Sequence, residues 1–474
     1  MSNFYHDSSF SPSAEAVLDQ PAVGTAPAKT VTYEAPAAVH KAGSNYALFH
    51  YALLVYIYLF CTRLPELFPA IRLALAMSVI MFAGLLATGR GGEIFQTKLG
   101  RILTAFAVWT AICVPTSVWI GGSFDVLKGV VQSVLFVACV LAFARTIPEV
   151  RNCMYSLGAA MGTVAVLSLT MFGSAASEAT TGLAAFGVEA PPTAGEAEQR
   201  LGLFHSATLQ DPNFMSLYLL VGLPFLWLGA KKGGPFTRVL FVLFMPAVLV
   251  AIGHSASRMA LLLFIIGLLM FLKNATNKER TFVLASVIVM ACVTVPFLPE
   301  SVTNRFMTLF RPQSDTFESK EAADSAATRL KLLERSIEIT AKHPLFGVGP
   351  GQFAVAENIL AKEEGKERGI WYYTHNAYTQ TSSEAGIPAL ILYIMAIVVS
   401  YRGLKDIRKR GPTEEIREMA KAMQLSLWMV ILGGLFLTTG FGGVPFVVMG
   451  MAVSFKMSVA DQMRKLAPAT AEAV

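Results

Sequence analysis

The sequence predicts an all-α integral membrane protein with about twelve transmembrane helices and two longer loops outside the cytoplasm, the second containing an amphipathic helix. Composition and segmentation carry this reading. Hydrophobic residues make up 54% of the 474 and charged residues only 15%, against roughly 25% charge in an ordinary soluble domain. The apolar residues fall into runs suited to a hydrocarbon core of about 30 Å. These lie near 46–62, 68–88, 102–121, 127–144, 153–173, 213–230, 239–254, 259–272, 281–298, 378–400, 422–440 and 443–458.

The connecting segments alternate in charge. "GRGGEIFQTKLGR", "RTIPEVR", "KKGGPFTR", "KNATNKER" and "RGLKDIRKRGPTEEIREMAK" carry a Lys/Arg excess, whereas "RLPELFP", "GGSFDVLK" and "GHSASR" carry little. The positive-inside rule then sets both termini in the cytoplasm and two long segments, 174–212 and 299–377, outside it. The net charge of +6 is spread over these clusters, so nucleic acid is not an expected partner. Residues 1–44, rich in Ala, Pro and Ser and without a basic region followed by an apolar one, read as a disordered cytoplasmic tail. The membrane domain is expected over 45–460, with a cytoplasmic C-terminal tail at 461–474. Cys61, Cys113, Cys139, Cys153 and Cys292 fall within or beside apolar runs and lack paired spacing.

Long loops without structure of their own are uncommon unless they are functional. The second one holds "TRLKLLERSIEITAKHPLFGVGPGQF". Leu330, Leu333, Ile337 and Ile339 approximate one helical face, with Arg329 at the helix start and Pro344 and the glycines ending it. Such a helix lies across the membrane surface or caps a cavity. The Gly-Val-Gly-Pro-Gly run lacks the Lys-Ser/Thr of a phosphate-binding loop.

Just beyond comes "YYTHNAYTQTSSEAGIPALILYI", which sets His375 and Asn376 at the mouth of an apolar run and Glu384 about two turns inside it. A charged carboxylate at the centre of a spanning helix costs roughly 2.5–3.5 kcal/mol on insertion scales, which makes the cluster a functional candidate. His375 suits a general base, since imidazole titrates near neutrality; a structural histidine bonded to a loop carbonyl is the plain alternative. Arg200 and Arg258 sit at the expected outer border, where guanidinium forks hold diphosphate oxygens or simply snorkel to headgroups. Arg72 reads the same way, Asp211 as a turn cap, and Glu384 as a partner for His375, for sugar hydroxyls or for a neighbouring helix. Glu196 and Glu198 form the best carboxylate pair for a metal, yet in a Gly/Ala/Pro-rich stretch they read as solvated.

"HPLFGVGPGQF" followed by "THNAYTQTSSEAGIPALILYI" resembles the signature region of the O-antigen ligase and polymerase superfamily. "SRMALL", through Arg258 and Leu262, and "RLGLFHSATLQDPNFMSLYL", which contains an Asp-Pro-Asn element, resemble two further family elements. His375, Asn376 and Gly386 fit the family's histidine motif, whereas Ala389 departs at its last position and leans toward a polymerase. The resemblance implies a bacterial inner-membrane glycosyltransferase of O-antigen ligase type with a periplasmic site. It would move a glycan from undecaprenyl diphosphate to an acceptor hydroxyl on a glycan or lipid A core, inverting, without metal or cofactor. In that scheme His375 is catalytic, and Arg200, Arg258, Arg329, Asn376 and Glu384 bind substrate. The alternatives are a polymerase of O-antigen or exopolysaccharide repeat units, a protein O-oligosaccharyltransferase and, more distantly, a polytopic transporter. Membrane lipids are partners in every case.

Overall fold

A computed structural model describes residues 45–67, 72–185, 201–203, 209–298, 300–308, 317–367, 369–370 and 372–471. Of the chain's two compact units, Met1–Ala35 lies outside the described residues, as does the whole expected tail over 1–44, and every helix belongs to the other unit, Pro36–Val474. The described residues form helices without strands. In order they are α1 (Asn45–Thr62), α2 (Leu64–Leu67), α3 (Leu73–Ala87), α4 (Glu93–Gln96), α5 (Lys98–Cys113), α6 (Ile120–Phe143), α7 (Ile147–Ala185), α8 (Pro212–Lys232) and α9 (Pro235–His254). Next along the chain are α10 (Arg258–Asn274), α11 (Asn277–Thr294), α12 (Glu300–Met307), α13 (Phe317–Lys342), α14 (Phe353–Glu363), α15 (Ala377–Arg410), α16 (Glu414–Gly433) and α17 (Val444–Ala471).

Each of the apolar stretches read from the sequence overlaps one of these helices. Among the described residues, six helices are long and apolar enough to cross a membrane: α6, α7, α8, α9, α15 and α17. The bent pair formed by α3 and residues 90–96, folded by 102°, makes a seventh if it is one span. The expected count of about twelve is not reached on this measure, partly because α11 and α16 open with the charged turns "NKER" and "EEIRE". The apolar helices differ in what they face. α8 buries residues on nearly every side, whereas α9 exposes Phe236, Val239, Val242 and Leu243, the face expected to meet lipid rather than water.

Charges tie one end of the bundle together. Arg145 pairs with Glu93 at 2.6 Å and Asp461 at 3.5 Å, Arg151 with Glu415 at 2.5 Å, and Lys231 with Glu279 at 2.5 Å and Glu418 at 2.9 Å. Partly exposed pairs contribute only about 0–1 kcal/mol each; what they establish is which helix ends lie together. All of these ends except that of Asp461, in the expected C-terminal tail, belong to the basic clusters of the sequence. The start of α8, at Asp211, therefore lies at the other end from Lys231.

That other end is organised by a break in α15. Gly386 adopts φ 80° and ψ 173°, and Pro388 brings no N–H, so the helix unwinds and its carbonyls need other donors. The loop after α13 supplies them. Val348 N donates to Ser383 O at 3.0 Å and Gly349 N to Glu384 O at 2.9 Å, while Ile387 N donates back to Pro344 O at 2.8 Å. Trp109 Nε1, from α5, donates to Ala385 O at 2.8 Å. A Cβ on Gly386 would lie 1.9 Å from Leu345 O, and one on Gly347 would lie 2.3 Å from the Glu384 carbonyl carbon.

α13 is longer than the sequence suggests, so Arg329 stands in its middle rather than at its start. Its buried face also differs. Leu332, Ser336 and Ile339 are buried, with Leu332 and Ile339 packing with Val348, Phe353 and Leu360 into a small second core, while Leu330 and Ile337 are exposed.

Gly386→Ala should lower thermal stability in detergent by at least the roughly 1–3 kcal/mol of a strained backbone position. Gly129→Ala, where no atom lies within 4 Å of the new methyl, is the control and should leave the midpoint unchanged or slightly raised.

Candidate active site

Three helix starts converge on the site. Asp211 caps α8: its Oδ1 accepts from Asn213 N at 2.7 Å, with Pro212 at the first helical position, an arrangement that satisfies one of the orphan N–H groups of a helix start. Asn213 Oδ1 in turn accepts from Ser257 Oγ at 2.8 Å. Ser257 caps α10, whose first residue is Arg258. The Asp-Pro-Asn turn and the start of "SRMALL" are thus bonded directly. The chain entering from the other side is fixed at the same corner, where Leu201 N donates to His254 O at 3.1 Å.

The third start is that of α15. Asn376 accepts from Tyr378 N at 2.9 Å and Thr379 N at 3.1 Å, and its Nδ2 donates to Leu435 O at 3.3 Å. His375 precedes it in the left-handed region, at φ 50°. For a residue other than glycine that conformation costs of order 1–3 kcal/mol, and such strain concentrates at functional sites. The imidazole is half-buried, and its Nδ1 is enclosed without a hydrogen-bond partner among the described residues.

Electrostatics bring these elements together. Burial lowers the pKa of His375 from its ordinary value, the Arg329 guanidinium lowers it further, and the Asp211 carboxylate opposes both. Arg329 is pulled down by its own burial, held up by Asp211, and pulled down again by Arg305 of α12. Four groups from α8, α12, α13 and the start of α15 therefore act on one another. The lowered pKa favours the neutral imidazole, the form that accepts a proton, beside the Arg329 guanidinium, a group suited to an anion.

Of the residues read from the sequence, His375 and Arg329 are thus brought together. Arg258 is half-buried and joined to the Asp211 turn through Ser257 and Asn213. Arg200 lies outside the described residues, as do Glu196 and Glu198. Asn376 and Glu384, expected to touch substrate, are engaged by the scaffold instead. Asn376 caps its helix; Glu384, fully buried, accepts from Gly351 N at 2.8 Å, Phe353 N at 3.3 Å and Gln380 Nε2 at 3.3 Å. Arg72 is exposed at the start of α3. Sequence reasoning gave Asp211 only its capping role and missed Arg305, which stands in no motif. Among the described residues no group of three or more His, Cys, Asp or Glu side chains gathers as a metal site would require.

A family model described as O-antigen ligase matches residues 216–394, from the first turns of α8 to just beyond the break in α15. The matched stretch contains Arg258, Arg329 and His375 and agrees with the resemblance carried by the motifs. No curated protein matches the chain.

Asp211→Asn retains a capping side chain but removes the negative charge that acts on His375. The pH midpoint for modification of His375 by diethyl pyrocarbonate, which reacts with neutral imidazole, should therefore move lower. A midpoint that stays in place would separate the two residues electrostatically.

Proposed function

We propose, from the match of residues 216–394 to the O-antigen ligase family, that this protein is a metal-independent, inverting membrane glycosyltransferase of ligase type. It takes a glycan from undecaprenyl diphosphate and hands it to a hydroxyl of a glycan or lipid A core acceptor. The observation that carries this reading is the half-buried His375, its Nδ1 unpaired among the described residues and its pKa lowered by burial and by the Arg329 guanidinium. A buried ring nitrogen left unsatisfied costs about 1–3 kcal/mol, which an acceptor hydroxyl would relieve.

The reaction follows from these groups. The acceptor O–H gives its proton to His375 as its oxygen attacks the anomeric carbon. The bond from that carbon to the diphosphate oxygen breaks on the opposite face, and the electron pair leaves with undecaprenyl diphosphate. Arg329 and Arg258, together with Arg200, neutralise the leaving charge as bidentate forks. Asn376 and Glu384 then serve by holding the start and the break of α15. A second reading, a polymerase joining repeat units, is favoured by Ala389, which is fully buried where the family's motif closes with Gly, Thr or Tyr. It uses the same donor and base with a different acceptor.

In this proposal the end tied by ion pairs faces the cytoplasm and the His375 end faces the periplasm, across the bacterial inner membrane, with the shorter helices completing about twelve spans. Reporter fusions at 190 and 320 should behave as periplasmic, and cytoplasmic behaviour at both would overturn the topology and the site with it.

His375→Ala should cut turnover at saturating donor by on the order of 10² to 10⁴ while leaving donor affinity near normal, because the base acts only as the acceptor attacks. The sign of the pH dependence is set by the imidazole. With a folded-state pKa below the ordinary 6.5, it remains neutral through pH 7, and activity should fall only as pH drops through that lowered value. Near-normal turnover in His375→Ala, or activity abolished by EDTA and restored by a divalent ion, would refute the mechanism.

A further inference from the structure

We propose that Glu357 of α14 is a positioning residue for His375, holding the chain segment that delivers the histidine and registering it against α13. The inference rests on the reading of His375 as the general base.

Glu357 is only 2% exposed, and a carboxylate so placed needs both donors and a countercharge. Its Oε2 accepts from Ile370 N at 2.6 Å, five residues before His375. The neighbouring Asn358 Oδ1 accepts from Gly369 N at 2.9 Å, so two consecutive amides of the incoming segment are gripped by one turn of α14. The grip is close: a Cβ on Gly369 would lie 2.2 Å from Glu357 Oε2. The countercharge is Arg335 of α13, whose Nε lies 3.8 Å from Glu357 Oε1. Arg335 is itself fixed, since it pairs with both carboxylate oxygens of Glu364 and with Glu338 at 2.8 Å.

Arg335 comes after Arg329 by less than two turns on α13. One rigid helix therefore presents Arg329 to the site and, through Arg335, Glu357 and Ile370, also sets where the histidine segment enters. Among the described residues none of the contacts of Glu357 reaches the reacting groups, so its effect passes through the position of His375. The charged groups acting on His375 are Arg329 and Asp211, with Arg305 acting through Arg329. Loosening the segment lets water reach the imidazole and weakens the Arg329 effect. Both changes return its pKa toward the ordinary value and move the acid limb of the activity profile to higher pH.

The test uses the full chain in lipid nanodiscs. In Glu357→Ala, amide hydrogen exchange of the peptide from Gly369 to Asn376 should accelerate. Turnover at saturating donor should fall roughly ten- to a hundredfold, as a misplacement of about 1 Å does, with donor affinity within about twofold and the acid limb displaced upward. Glu357→Gln keeps an oxygen for Ile370 N and should recover part of the turnover. A merely structural role would lower the active fraction without moving the pH limb. If Glu357→Ala fails to insert, Asn358→Ala, which releases only Gly369, is read in the same way. Unchanged exchange overturns the clamp while leaving the histidine's role intact. Faster exchange with turnover and pH limb unmoved overturns the proposal, whereas the assignment of His375 as base falls only if His375→Ala keeps near-normal turnover.

Discussion

The break in α15 at Gly386 is the constraint on which the rest of the site end depends. A helix in an apolar surrounding keeps its backbone groups paired along its own length, and irregular backbone at such a place survives only where protein supplies the missing partners. The positive φ of Gly386 and the missing N–H of Pro388 remove the internal partners of Ser383, Glu384 and Ala385. Val348, Gly349 and Trp109 replace them. The loop from Pro344 to Gly351 is therefore part of α15 in every energetic sense, although α14 and the histidine segment lie between the two in the chain. This explains why "HPLFGVGPGQF" and "SSEAGIP" occur together. Neither is satisfied without the other, and Glu384 strengthens the joint by accepting from Gly351 and Phe353 across it.

From that joint the charges acquire their roles. At the paired end of the bundle Arg145, Arg151 and Lys231 each meet carboxylates. At the site end, among the described residues, the Asp211 carboxylate acts on His375 against the cationic Arg329, itself pressed by Arg305. A guanidinium whose charge is disfavoured by burial and by a second guanidinium gains from an arriving anion more than a solvated one does. Holding such groups without an anion costs stability, and a scaffold fixed by the α15 joint and the Arg335–Glu364 pair can sustain that cost.

How much of this was legible in the sequence depends on the range of each interaction. A local signal read true: Asp211 before Pro212 caps a helix, because cap chemistry involves only neighbours a few residues apart. His375 was marked by a motif and by its place beside an apolar run. The buried face of α13 was misread. Leu330 and Ile337 satisfy a periodicity, but the apolar surface that receives the helix is built by Val348, Phe353 and Leu360, which pattern alone could not reveal. While the residues alone left Glu384 open between His375, sugar hydroxyls and a neighbouring helix, the resemblance implied that Glu384 and Asn376 bind substrate. Their partners, Gly351, Phe353 and Leu435, lie too far along the chain for spacing to expose them. Arg305 gave no signal because its meaning exists only beside Arg329.

The position of the site at an end of the bundle, rather than halfway along it, also has a physical reason. Two guanidiniums and a titrating imidazole at a bilayer midplane would each demand pairing or water; near the interface the same groups stay partly wet. The apolar side is close by: Trp119, Phe124 and Leu345 are exposed, and the turn carrying Trp119 is bonded to the loop that fills the α15 break, through Val118 N to Val348 O at 3.0 Å and Ser123 Oγ to Pro350 O at 3.0 Å. Exposed aromatic and aliphatic residues of this kind suit a membrane interface. The proposed donor, with a charged diphosphate and a long hydrocarbon tail, would need both environments within one molecular length. The α15 break supplies such an adjacency, because the backbone it frees is paired by a loop that adjoins exposed apolar residues on one side and supports the start of α14 on the other.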